Sequence, residues 1–359
     1  MIVSTGHLKI VDGVFYYPGI MSDEWIIQDP VRELMRGWFS NLRSTENILV
    51  ISAHGIRKDT LKSLLAQNRG KKILMTYCGE NIFVKNRLIS HVYNGLGKLG
   101  ISGKLKEALV LHPMTASILS ANTLLQKNAY FRSLLEVDKA YNYLLTNDLQ
   151  PQKDNVFFAP YFYFFCRDVM PLLQRSPASE EIQIKKKFCA FVVSNPANFD
   201  RIDFFRKLSE YKKIDSFGKV LNNAQIESLP GEHYLSLLKY NHLLYKKYKF
   251  VISFENSYAK GYITEKLINV LAGGSVPIYR GADDIGTYFN LNRIVDFNHY
   301  GRSYINMIDK IIELDQDDAK YRTFVSEPCL PGNTFPPGYE DLGHRLETFM
   351  KVRLGIGDL

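Results

Sequence analysis

Short apolar runs alternate with amphipathic stretches along most of this chain. Residues 47–52 (NILVIS), 72–77, 188–194 (FCAFVVS), 249–254 and 275–279 are rich in Val, Ile, Leu and Phe, with little polar alternation. Such runs predict strands buried on both faces, as in a parallel sheet. Between and after them, residues 58–67, 202–211, 233–248, 264–274, 304–314 and 340–352 carry apolar positions at helical spacing. Strand and helix in alternation predict βαβ units and an α/β fold. Asp12-Gly13 is a hairpin signal between strands at 8–11 and 14–17. Further elements are expected at 30–42 (a helix with Pro at its first position), 139–145 and 156–165 (strands), 284–289 (a short helix) and 294–296 (a strand). A Pro/Gly stretch at 328–337 precedes the last helix.

The polar residues of residues 249–281 gather at one end of a strand–loop–helix–strand unit. The first strand ends at Phe254, and the loop 255–261 is polar and closes on Gly261. Thr264, Glu265 and Lys266 open the helix, which ends at Gly273 and Gly274. In a parallel sheet, ligands sit where strand carboxyl ends meet helix amino ends. That edge holds Glu255, Asn256, Ser257, Tyr262, Thr264, Glu265 and Lys266. A helix amino end suits a phosphate. Lys266 adds a full positive charge in the first turn, where the macrodipole disfavours a cation unless an anion is near. Read for shape alone, Thr264 is equally an N-cap, Glu265 a first-turn acid and Lys266 a solvated cation.

Two more segments repeat the arrangement. The strand at 72–77 leads into Cys78-Gly79-Glu80-Asn81, and the strand at 188–194 into Asn195-Pro196-Ala197, with Arg201 in the next helix's first turn. On pattern alone, Glu80 reads as a capping acid and Arg201 as a surface cation. Asp315-Gln316-Asp317 has the spacing of a metal-binding DxD but lies in a helical or loop stretch, where a solvated acidic turn is expected. GKLGISG at 97–103 follows a helix and lacks the ending of a phosphate loop, so it reads as a connector.

Composition narrows the picture. The 359 residues are 46% apolar, enough for two domains, and include 22 Tyr and 22 Phe. The formal net charge of +8 favours anionic partners. No basic stripe or recognised motif points to nucleic acid. Cys78, Cys166, Cys189 and Cys329 are widely spaced, which argues against a disulfide framework or zinc site. No apolar run reaches the roughly 18 residues of a membrane span. The opening residues lack the pattern of a signal peptide. A cytoplasmic protein is expected, with weak peripheral docking through the lysine pairs at 212–213 and 246–247.

The thirteen-residue stretch FENSYAKGYITEK at 254–266 resembles the signature of the α-1,3-fucosyltransferases of glycosyltransferase family 10, which use GDP-fucose. The resemblance is strong over 188–281 and looser over 71–81 and 139–165. It implies the GT-B fold, two facing Rossmann-like domains with a cleft between them. Residues 1–175 would bind the acceptor and 188–338 GDP-fucose, with 339–359 a C-terminal helix and 176–187 a linker. The span 83–136, usually shorter in the family, reads as a helical insertion. The implied reaction is inverting transfer of L-fucose from GDP-β-L-fucose to a glycan hydroxyl, giving an α-1,3 or α-1,4 link to a GlcNAc-type acceptor. By resemblance Glu80 is the catalytic base, and Arg201 and Lys266 stabilise the leaving diphosphate. Asn195, Glu255, Asn256, Tyr262, Thr264 and Glu265 complete the donor site. No metal is required for the chemical step, though a divalent ion would assist product release. Bacterial members decorate surface glycans such as lipopolysaccharide and Lewis-type antigens, which makes an acceptor oligosaccharide the expected partner. Two alternatives stay open: a GT-B enzyme with another sugar-nucleotide donor, and a non-catalytic nucleotide- or nucleic-acid-binding protein.

Overall fold

The computed structural model describes residues 4–5, 8–11, 14–16, 48–52, 72–76 and 143–146 as strands. From 155 to 354 it describes all but 161, 164–165, 168, 175–181, 195–197, 227–240, 257 and 259. The expected helices at 30–42 and 58–67, the insertion 83–136 and most of the helix 233–248 lie outside the described residues, as do Glu80 and Asn195.

The chain divides into two compact units, one of Met1–Phe83, Tyr130–Arg167 and Pro337–Leu359, the other of Val84–Ala129 and Asp168–Pro336. In the first, β1 (Ser4–Thr5), β2 (Leu8–Val11) and β3 (Val14–Tyr16) form an antiparallel sheet, with the hairpin expected at Asp12-Gly13 pairing Val11 with Val14. A second sheet runs β4 (Ile48–Ser52), β5 (Lys72–Thr76), β6 (Tyr143–Thr146) and β7 (Val156–Phe158), all parallel. β7 is shorter than the aromatic run 156–165 suggests. Pro160 has no N–H for a sheet ladder, and Phe162 and Tyr163 beyond it are helical and buried. Tyr163 donates its hydroxyl hydrogen to the Pro337 carbonyl, and Arg167 donates to the Tyr339 carbonyl at 3.1 Å. The Phe349 ring meets Phe157 at 5.4 Å. The chain's last described segment therefore returns to the amino-terminal unit.

Among its described residues, the second unit carries a five-stranded, wholly parallel sheet. Its order is β12 (Val295–Asp296), β11 (Val276–Tyr279), β10 (Tyr248–Ile252), β8 (Lys187–Phe191) and β9 (Ile214–Ser216). Every residue of the central β10 is buried, as a strand covered on both faces must be. Successive side chains take opposite faces. Cys189, Phe191, Phe250, Ile252, Val276 and Ile278 pack with α1 (Phe199–Tyr211), α3 (Tyr304–Gln316) and α4 (Asp318–Ser326). Ala190 and Val251 meet Leu244, Tyr245 and Val270, the last from α2 (Glu265–Ala272). α4 is a helix the apolar pattern does not predict, because only Tyr321 and Val325 of its residues are buried.

Helix ends follow local rules. Asn198, Thr264, Ser303 and Asp317 are N-caps whose side chains accept a backbone N–H. α2 closes through Gly274, whose φ of +67° suits glycine. Lys185, in the described end of the expected linker, donates to the carbonyls of Gly273 at 2.7 Å and Tyr245 at 3.2 Å and to Ser275 Oγ at 3.0 Å. That segment is thus pinned to the sheet, with Ile182 buried beside it.

Asp315 is not a solvated acid. Its side chain is 3% exposed, and Lys249 of β10 lies at 3.2 Å and Lys212 at 2.8 Å. Tyr211 also donates to it, at 3.0 Å. Burial works against its charge, yet these partners hold its pKa below the ordinary value. Asp317 caps α4, so neither acid of the DxD spacing is free for a metal. Removing one member of a buried pair strands the other charge. Asp315→Asn should therefore lower stability by about 3 kcal/mol near neutral pH. A depressed native pKa contributes stability above the unfolded value, about 4, and loses it as pH falls through the native one. Urea unfolding of both proteins from pH 7 to pH 3 should show the difference shrinking toward acid. A gap undiminished at pH 3 would contradict this assignment.

Candidate functional site

The carboxyl ends of β10 and β11 bring the predicted cluster together around one side chain, Glu255. It is fully buried. Its N–H donates to the Arg280 carbonyl at 2.9 Å, which continues the β10–β11 ladder past the strand ends. Its carboxylate accepts Thr264 N–H at 2.8 Å and the Thr264 hydroxyl at 2.7 Å. Thr264 in turn caps α2 and accepts from Lys266 Nζ at 3.1 Å. A buried carboxylate without such donors would be costly. Here two donors and a cation surround it.

Lys266 Nζ lies 3.5 Å from Glu255 and 3.2 Å from Glu265. Burial disfavours the ammonium, but the Glu265 and Glu255 carboxylates outweigh it and raise the pKa, so Lys266 is a fixed cation at neutral pH. Glu255 shows the opposite balance: burial raises its pKa, and the Lys266 charge only partly offsets this. Arg201, in the first turn of α1, is 2% exposed and donates from Nη2 to Asn256 Oδ1 at 3.1 Å. Burial lowers its pKa to about 10, which leaves it charged at neutral pH. The dipeptide Glu255-Asn256 thus engages a cation from each of two helix amino ends. Lys266 is more enclosed than a solvated first-turn lysine, and Tyr262 is buried, at 7% exposure.

Several residues that pattern reading did not single out complete the site. Asn198 Nδ2 donates to the Glu255 carbonyl at 2.8 Å and to Tyr258 Oη at 2.9 Å. Asp284 accepts Gly261 N–H through both carboxylate oxygens, at 2.9 and 3.1 Å, and ties down the far end of the loop. Arg280 follows β11 directly. Gly281 is required by space, because a Cβ there would lie 2.1 Å from Tyr279 Oη and 2.8 Å from Glu255 Cγ. The available signal for Arg280 and Gly281 was their position, a cation and a glycine just past a buried strand on the ligand-bearing edge. Glu80, Asn195 and Ser257 lie outside the described residues.

Chemically, this edge offers two fixed cations, the amino ends of α1 and α2 and hydrogen-bonding groups for hydroxyls. That set suits a phosphorylated ligand.

Comparison with known proteins agrees with this chemistry. Residues 182–326 match the model of glycosyltransferase family 10 (fucosyltransferase), C-term. A protein of Acanthamoeba polyphaga mimivirus, provisionally named a fucosyltransferase, is 33% identical over 153 residues, 42% of this chain and 25% of that protein. GDP-fucose protein O-fucosyltransferase 3 of Xenopus tropicalis is 30% identical over 164 residues, 45% of this chain and 32% of that protein. The chain thus spans about a quarter to a third of the length of these relatives. A crystal structure of an alpha1,3-fucosyltransferase matches with a TM-score of 0.56 at 16% identity, over 87% of this chain and 79% of that one. Another, of an alpha1,3-fucosyltransferase with GDP, matches at 0.51 and 16% identity, over 88% of this chain and 92% of that one. At that identity the likeness speaks for the fold, and it agrees with the GT-B class expected from the sequence. Residues 182–326 of this chain are thus similar to the C-terminal domain of the family 10 glycosyltransferases.

Proposed function

We propose that this chain transfers L-fucose from GDP-fucose to a glycan hydroxyl with inversion, forming an α-1,3 or α-1,4 link. The observation that carries the reading is a pair of cations, the buried Arg201 and the partly buried Lys266, held at two helix amino ends by Glu255-Asn256. The leaving diphosphate gains negative charge as the glycosidic bond breaks, and preorganised cations stabilise that charge best. Arg201 can grip phosphate oxygens with its planar fork, whereas Lys266 acts as a point charge. Tyr262 and Glu265 would orient ribose or fucose hydroxyls, and Asn195 would line the same site. Glu80, following β5, would take the acceptor proton. In-line displacement then puts the base and the leaving group on opposite faces of the sugar. With two cations on the diphosphate, the chemical step needs no metal in this scheme.

Calorimetric titration of GDP and GDP-fucose into wild type and Glu80→Ala, followed by turnover with N-acetyllactosamine, tests the reading. Both proteins should bind GDP, and only wild type should release it from GDP-fucose. A wild type that binds no GDP overturns the donor assignment. Lys266→Ala should lower kcat by about two to three orders of magnitude, the range for losing a preorganised charge stabiliser. Near-normal turnover would remove Lys266 from the mechanism.

A further inference from the structure

Arg280 is the most heavily engaged cation at this edge that the scheme above does not use. Its guanidinium lies 3.2 Å from Asp200, with 22% and 42% of the two side chains exposed. It sits 4.2 Å from the centre of the Phe297 ring, 4.6 Å from Tyr258 and 5.6 Å from Tyr304, and it donates to the Tyr304 hydroxyl. Stacking on several rings while forking to two oxygens suits a planar guanidinium and not an ammonium. Its backbone carbonyl also receives the Glu255 N–H. Asp200 is bound from the other side by Tyr258, whose hydroxyl donates to it at 2.9 Å.

The position of Asp200 makes this pairing consequential. It occupies the first turn of α1 next to Arg201. An acid there favours the helix, because it faces the positive end of the macrodipole. The same acid opposes a second anion at that terminus, and a nucleoside diphosphate gripped by Arg201 is such an anion. Left alone, Asp200 would offset the cation one residue away.

The geometry points to Arg280 as a charge-compensating positioning residue for the donor: it cancels Asp200 and keeps the α1 terminus favourable for a diphosphate. This rests on the nucleotide-donor reading above. Arg280 acts through Asp200 and Tyr258 and is not assigned a contact with the reacting atoms. A purely structural strut would not respond to the charge on Asp200, so the two roles separate in a double-mutant cycle.

GDP is titrated into Arg280→Met, Asp200→Asn and the double variant, with thermal unfolding followed in parallel. Arg280→Met should weaken GDP binding about tenfold at low ionic strength, the scale of coupling between groups in direct contact. The loss should shrink at about 0.5 M salt. Asp200→Asn alone should bind GDP as well as wild type or more tightly. Adding it to Arg280→Met should restore affinity to within about threefold of wild type. Unchanged binding in Arg280→Met, or a double variant no better than Arg280→Met, overturns the inference. If Arg280→Met fails to fold, Asp200→Asn decides: weaker GDP binding there refutes the inference. A wild type that does not bind GDP removes the donor reading and this inference with it, and that outcome is visible before any variant is compared.

Discussion

A carboxylate with no exposure to water, Glu255, is the constraint on which this edge of the sheet depends. Burying a charge is tolerable only with donors and a counter-charge at hand. Glu255 obtains them by holding the first residues of the next helix: the Thr264 N–H, the Thr264 hydroxyl and, at 3.5 Å, the Lys266 ammonium. Meeting that requirement folds the loop 255–261 back on itself and sets where α2 begins. The same dipeptide presents Asn256 to Arg201, so one buried acid organises cations from two helices. Gly281 completes the arrangement by leaving the space that Tyr279 and Glu255 occupy.

The electrostatics of the site are a local balance. Arg201, Lys266 and Arg280 face Glu255, Glu265 and Asp200, with each cation in contact with an acid or its neighbour. The site is therefore close to neutral as it stands, with three cations set against three acids. Recognition of an anion then works through geometry, by fixed donors aimed at one place, more than through excess charge. The net charge of +8 is a property of the whole chain and is not concentrated here.

Much of this was legible in the sequence. Uninterrupted apolar runs reported the parallel sheet directly, since a strand covered on both faces has no reason to alternate, and β8, β10 and β11 lie where those runs do. Thr264 and the paired glycines marked the ends of α2, and FENSYAKGYITEK carried the resemblance to family 10. The misses share a cause, for each depends on a partner remote in sequence. Asp315 looks like a surface acid until β10 supplies Lys249, 66 residues away. The aromatic run after Val156 looks like one strand, but its later rings pack on the returning C-terminal segment. α4 buries too few apolar residues to announce itself. Arg280 and Asp200 are ordinary charges until the fold sets them 3.2 Å apart.

The Lys185 side chain gives α2 a second anchor at the end opposite Lys266. Three acceptors hold it: the carbonyl that follows the helix, a second carbonyl from the residues before β10, and the Ser275 hydroxyl. A rod fastened at both tips cannot slide along its own axis without breaking one set of fastenings. Adjustment to an incoming ligand is then left to side-chain rotation at the amino end of α2. In mechanical terms α2 is a strut that holds this edge of the sheet at a fixed length.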